Sequence, residues 1–156
     1  MCGVGIRVHS WIAFVNKNSR KFVVVEHTAD IGLTAYGKTL NELFENSAYG
    51  MFSQITDIEK VKPKDKVEVQ VEGYDKESLL VNWLNELIYF LTTKKMLFSQ
   101  FKIKKIRDNS LSAEIRGQKI DCKKHLCHLE IKAATYHNLK ISKTKEGYQT
   151  TIIFDV

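Results

Sequence analysis

The sequence predicts an α+β domain: two layers, a largely antiparallel β-sheet with two amphipathic helices packed on one face. Three observations predict it. Several short segments alternate apolar and polar residues, as half-buried strands do. Two longer segments, around 40–52 and 76–94, repeat apolar residues at spacings of three and four, as helices with one buried face do. The order is strands, helix, strand, helix, then a run of strands, which differs from the strict alternation that builds a parallel sheet.

Phe22-Val23-Val24-Val25 is a run of β-formers. Ile31 to Tyr36 alternates as a second strand, and Gly37-Lys38 turns the chain. Thr39-Leu40-Asn41-Glu42 reads as a capping box for a helix whose stripe is Leu40, Leu43, Phe44, Ser47, Ala48, Met51 and Phe52. Residues 56–66 hold the only proline, Pro63, and read as a loop. Val67, Val69 and Val71 alternate with Glu68, Gln70 and Glu72, a strand with one wet face. Asp75 is placed to cap the second helix, whose stripe includes Leu79, Leu80, Trp83, Leu84, Leu87 and Ile88. Phe101 to Ile106 and Ser110 to Arg116 pair around Arg107-Asp108-Asn109, with Gly117 ending the second strand. Residues 118–128 are irregular and basic, Leu129, Ile131 and Ala133 alternate as a strand, and a final hairpin turns at Glu146-Gly147.

The chain's 156 residues suit one domain with its own core. We read residues 1–21 as an extension without assigned function and 22–156 as the domain. Lys and Arg number 24 against 18 Asp and Glu, a formal net charge of +6, which favours an acidic partner or nucleic acid and is equally served by a solvated basic face. Three cysteines form no disulfide framework, which fits a reducing, cytoplasmic setting. No apolar run reaches the roughly 18 residues of a membrane span. A phosphate-cradling glycine loop, a nucleophile elbow and an H-E-x-x-H motif are absent.

Two stretches carry the chemistry. Glu26-His27-Thr28-Ala29-Asp30-Ile31-Gly32 follows the first strand, and the chain stops on Ile152-Ile153-Phe154-Asp155-Val156. Asp30 and Asp155 both abut core sequence, where a carboxylate needs a cation or several donors. Meeting in space with the Val156 α-carboxylate, they would hold a divalent cation, since hard oxygen ligands select Ca²⁺ or Mg²⁺ over Zn²⁺. The alternative is that Asp30 caps a turn and Asp155 is a fraying terminal residue. His27 reads as a ligand, a proton carrier or a hydrogen-bonded core histidine. Lys132 stands in an otherwise apolar strand, where it either faces phosphate or the acidic cluster or extends outward along the sheet. The cluster Cys122, His125, Cys127 and His128 is too compressed for ordinary zinc spacing.

Four ordered motifs, His27-Thr-Ala-Asp-Ile-Gly32, Leu79-Leu-Val-Asn-Trp-Leu-Asn-Glu-Leu87, Ile131-Lys-Ala-Ala-Thr-Tyr136 and the ending Phe154-Asp-Val156, resemble archease. The resemblance covers about residues 22–156. It implies a protein that is not itself an enzyme but activates an RtcB-type RNA ligase, promoting its guanylylation and multiple turnover in tRNA splicing. The partners implied are that ligase, tRNA indirectly through it, and the GTP and Mn²⁺ the ligase uses. The resemblance also implies a metal site of Asp30, Asp155 and the Val156 carboxylate, with calcium first and magnesium or manganese as alternatives. Lys132 and His27 are the ligase-activating residues it implies. Two other readings stay open: a basic RNA-binding or chaperone-like module, and a stand-alone metal-dependent enzyme using the same carboxylates with Lys132.

Overall fold

Eight strands and two helices follow one another in the predicted order. They belong to a computed structural model that describes residues 21–26 and 30–156. The expected extension, apart from Lys21, and His27 lie outside the described residues. Strands β1 (Phe22–Glu26) and β2 (Asp30–Gly37) lead into helix α1 (Leu40–Ile55), and a single 3₁₀ turn (Ile58–Lys60) precedes β3 (Asp65–Glu72). Helix α2 (Lys76–Lys94), the long hairpin β4 (Met96–Arg107) and β5 (Ser110–Lys119), and then β6 (Ala133–Ala134), β7 (Ser142–Thr144) and β8 (Gly147–Asp155) complete the chain.

The architecture is α+β with two main helices against antiparallel strands. Those strands divide into two sheets: a five-stranded one in the order β1-β2-β8-β6, with β7 also on β8, and a three-stranded one in the order β3-β5-β4. Helix α1 packs on β2 of one sheet and on β4 of the other, so a single core serves both. Leu33, Ile152 and Phe154 come from the first sheet, Ala113, Ile115 and Phe98 from the second, and Leu43, Phe44, Phe52, Leu80, Trp83 and Leu84 from the helices, all buried. Trp83 Nε1 donates to the Phe44 carbonyl at 3.0 Å, which satisfies the buried indole and ties α2 to α1.

Local chemistry explains the element ends. Thr39 caps α1 by accepting the Glu42 N–H at 3.1 Å. The Glu42 carboxylate reaches one residue beyond the expected partner and accepts the Lys38 N–H at 2.7 Å. Asp75 caps α2, and its partner is a serine: the Ser78 N–H donates to Asp75 Oδ1 at 2.8 Å, and Ser78 Oγ accepts the Asp75 N–H at 3.1 Å. The β4–β5 turn has Asp108 at φ 51° and Asn109 at φ 60°, the paired left-handed residues that match the twist of a two-residue hairpin. Gly117 does not end β5, which continues to Lys119; it lies inside the strand because a Cβ there would collide with the Leu97 carbonyl. The strand expected over residues 129–133 shrinks to Ala133–Ala134, and what precedes it is irregular.

The outer edge of β4 is covered rather than left open. Glu45 on α1 accepts the Ile103 N–H at 2.8 Å, and Asn41 approaches the Ile103 carbonyl at 3.5 Å. Burial raises the Glu45 carboxyl above its ordinary range, assisted by Glu42 and opposed by the Ile103 hydrogen bond and Lys102. Among the described residues, no helix is long and apolar enough to cross a membrane.

Candidate functional site

Strand β8 is the seam on which the separated sequence motifs meet. It pairs with β2 in a register that sets Asp30 opposite Asp155, Ile31 opposite Phe154 and Leu33 opposite Ile152. The last two pairs face the core, so the Asp30/Asp155 pair belongs to the other face of the sheet, at its end. Residues so opposed hold their Cβ atoms roughly 4.5–5.5 Å apart. Asp30 is half-buried and Asp155 exposed. Neither is a turn cap or a frayed end: each is paired in the ladder.

The other side of β8 receives β6. Ala133 pairs with Asp155 and Ala134 with Phe154, and the Lys132 N–H donates to the Asp155 carbonyl at 2.8 Å. Thr135 extends the contact with its N–H and its hydroxyl, both donated to the Ile153 carbonyl, at 3.0 and 2.9 Å. Backbone positions 30, 132 and 155 therefore lie on three neighbouring segments at one end of one sheet. The Lys132 side chain is exposed, and Val156 is 37 % exposed beside Asp155.

A strand of two residues needs an anchor, and α2 supplies it. Asn85 Oδ1 accepts the Ala134 N–H at 2.8 Å, and Asn85 Nδ2 donates to the Ala134 carbonyl at 3.3 Å. The side-chain amide thus serves β6 as a neighbouring strand would. Asn82, one turn earlier, donates to the Glu72 carbonyl at 2.8 Å and holds the end of β3. Both asparagines stand in the Leu79–Leu87 motif, but the sequence alone assigned neither a role. Their signal was available: two amides three residues apart inside an apolar helix, a residue type that disfavours helix interiors unless its side chain has a backbone partner.

Charge makes this end distinctive. Two carboxylates directly opposite on one ladder repel each other. Among the described residues, neither has a hydrogen-bond or ion-pair partner for its side chain. The donor set is all hard oxygen and fits a divalent cation of the calcium or magnesium type. Among the described residues no three His, Cys, Asp or Glu side chains group as a metal site, so the two aspartates would need further oxygen ligands from the backbone, the chain end or water.

The Cys122–His128 segment has a structural explanation. His125 is buried, its Nδ1 accepts the Asp121 N–H at 2.9 Å, and its Nε2 lies 3.1 Å from Gln118 Oε1. An accepting Nδ1 leaves Nε2 as the donor, which fixes the neutral tautomer. Gln118 Oε1 also accepts the Lys62 N–H at 2.7 Å, so the histidine locks two loops together. Both its nitrogens are occupied, which removes it from any zinc set.

The family model described as the Archease protein family matches residues 22–156. The chain belongs to the archease family. It is 42% identical over 138 residues to Protein archease of Sulfurisphaera tokodaii, spanning 88% of this chain and 99% of that one. To Protein archease of Methanosarcina barkeri it is 37% identical over 146 residues, spanning 91% and 100%. The solution structure of Methanobacterium thermoautotrophicum Protein 1598 superposes with a TM-score of 0.76 at 35% identity, covering 86% of this chain and 98% of that one. The crystal structure of a Thermotoga maritima archease, titled a possible chaperone, shares the fold with a TM-score of 0.61 at 24% identity, over 85% and 94%. Within this archease chain the four motifs converge: Asp30 to Gly32 on β2, Lys132 to Ala134 at β6, Asn85 on α2 holding β6, and Phe154-Asp155 on β8.

Proposed function

We propose that this chain activates an RtcB-type RNA ligase, promoting its guanylylation and allowing multiple turnovers in tRNA splicing, without being a catalyst itself. Family membership supports the general link to that ligase. The observation that carries the finer reading is the Asp30/Asp155 pair, opposed on the ladder with no cationic partner among the described residues. Asp30, Asp155 and the Val156 carboxylate would hold a divalent cation, with calcium first and magnesium or manganese as alternatives. A cation held by these carboxylates would offset the charge of the opposed pair. Lys132, exposed and tethered through its backbone to Asp155, would present its ammonium to phosphate at the ligase's nucleotide site. His27 is proposed alongside it as a ligase-activating residue. The setting is cytoplasmic, where the ligase, its GTP and tRNA meet.

The test is transfer of label from GTP to the ligase, with and without this chain. Wild type accelerates labelling, and Asp30→Asn and Asp155→Asn each abolish the acceleration while retaining the fold. Two folded variants that accelerate as well as wild type would overturn the site. Phosphate release from small phosphorylated molecules by the chain alone would replace the activator reading with the enzyme reading.

A further inference from the structure

The β3-β5-β4 sheet has an outer face that the site above does not use. Its inner face presents Val69, Ile103, Ala113 and Ile115 to the core. The register then fixes what lies outside. Lys66 pairs with Arg116 and Glu68 with Glu114 across β3 and β5, while Lys102 pairs with Glu114, Lys105 with Ser112 and Arg107 with Ser110 across β4 and β5. Lys104 shares the face, since its ammonium reaches Glu68 on β3 at 3.0 Å. Among the described residues, Glu45 of α1 reaches this side at the β4 edge, where it lines a hollow with Gln100, Lys102, Glu114 and Arg116, and every basic side chain on the face is exposed except Arg116, which is half-buried.

A β-bulge concentrates the charge. Simple alternation through Ile103-Lys104-Lys105-Ile106 would turn one lysine and one isoleucine the wrong way. The register shift between Ile103 and Lys105 inserts one residue, so both isoleucines face inward and both lysines outward. Six basic side chains stand against Glu68, Glu72 and Glu114, a net +3 on the strands themselves and +2 with Glu45 at the β4 edge, on a chain of net +6. Two of those acids are already held: Glu114 by Arg116 at 3.0 Å, whose hydrogen bond keeps the carboxyl below its ordinary range, and Glu68 by Lys104 at 3.0 Å. Lys102 and Lys105 have no ion-pair partner among the described residues. Along β4, outward residues two apart are roughly 7 Å apart, a step comparable to that between successive phosphates of an extended strand. The face carries no aromatic side chain, so it offers nothing for bases to stack on.

We propose that this face docks the phosphodiester backbone of RNA without reading its sequence. The choice of RNA over DNA rests on the function proposed above; the docking itself does not. The experiment is fluorescence anisotropy of the full chain, with no ligase present, on an oligouridylate and on a mixed-sequence RNA of equal length over a series of salt concentrations. Equal affinity for the two RNAs is expected, with log K falling linearly in log salt. The double variant Lys102→Gln/Lys105→Gln should flatten that slope by about 1.4, at about 0.7 per phosphate contact on a single strand. A matched pair at the β7–β8 hairpin of the other sheet, Lys143 on β7 and Lys145 in its turn, changed as Lys143→Gln/Lys145→Gln, should leave the slope unchanged. Polyglutamate at equal charge should displace RNA poorly. Equal flattening by both double variants would reduce the effect to net charge and overturn the proposal. Efficient displacement by polyglutamate would overturn it in favour of an acidic protein partner, and absence of binding at low salt would overturn it outright. Because ligase is absent, a negative result leaves the activator function standing, and Asp30→Asn should bind RNA as wild type does.

Discussion

Asp30 and Asp155 stand directly opposite each other across the β2–β8 ladder, 125 positions apart in the chain and adjacent in space. Like charges so placed repel, and nothing described in the fold offsets them. This relationship has a sign that stability measurements can read. Without divalent ions, Asp30→Asn or Asp155→Asn should leave the protein as stable as wild type or more so, by roughly 0.2–1 kcal/mol. Added calcium should raise the wild-type melting temperature, since a ligand at a hundred times its Kd stabilises by about 2.7 kcal/mol, and should not raise that of either variant. Calorimetry in chelator and in calcium checks both halves. A metal-independent loss of stability in the variants would mean that the carboxylates have structural partners instead.

Asn85 is predicted to position the site from outside it. Asn85→Ala leaves the N–H and carbonyl of buried Ala134 without their partners, at a cost of roughly 1–3 kcal/mol for each unsatisfied group. Asn85→Asp keeps the acceptor and loses the donor, so it should be the milder change. Denaturant unfolding gives the ranking. Hydrogen exchange at the Ala134 amide should quicken in the alanine variant even under conditions where the rest of the fold is intact.

Gly117 is predicted to tolerate no side chain. A Cβ there would strike the Leu97 carbonyl and the Phe98 Cα, both backbone, so no rotamer change can relieve it. Gly117→Ala should separate β4 from β5 where the register shifts between Phe98 and Gln100, and should lower the unfolding midpoint more than alanine at Gly32, where the nearest atom to an added Cβ, the Val25 carbonyl oxygen, stands at 3.1 Å and need give by only a few tenths of an ångström. Equal midpoints for the two variants would contradict this.

Glu45 gives a pH signature. Its folded carboxyl is raised, chiefly by burial, above the ordinary value of 4.5. Between the ordinary and the raised value the folded state holds more protons than the unfolded one, so this group's contribution to stability falls as pH rises through that window. Glu45→Gln keeps a carbonyl for the Ile103 N–H and removes the titration. Relative to that variant, wild type should lose stability as pH climbs from just below 4.5 and then level off. A difference that grows with pH would reverse the sign and contradict the account.

Much of this was legible in the sequence because it is written in local periodicity. The stripes of α1 and α2 and the alternation of β3 follow directly from which residues must be buried. Thr39 and Asp75 announce their helices because a short oxygen-bearing side chain is what an unsatisfied helix N-terminus needs. Non-local geometry was less legible. The division into two sheets depends on pairings between distant segments, and β6 is a strand only because Asn85 and β8 hold it. Gly117 looked like a terminator because a glycine needed for close backbone approach reads the same as one that ends a strand. The spacing around His125 already argued against zinc, but its structural role was hidden because its partners, Asp121 and Gln118, become recognisable only when the loop closes. The proximity of Asp30 to Asp155 rested on position and family resemblance, and the ladder register is its physical form.

The most direct measurement counts ligations per ligase. A limiting amount of RtcB-type ligase, given excess broken tRNA ends, GTP and Mn²⁺, is assayed alone, with wild-type chain and with Asp30→Asn. The account predicts many turnovers with wild type and about as few with the variant as with ligase alone. The same small number in all three, from a matched ligase and a folded chain, would contradict the activator function. Full stimulation by the folded variant would keep that function and contradict the role assigned to Asp30.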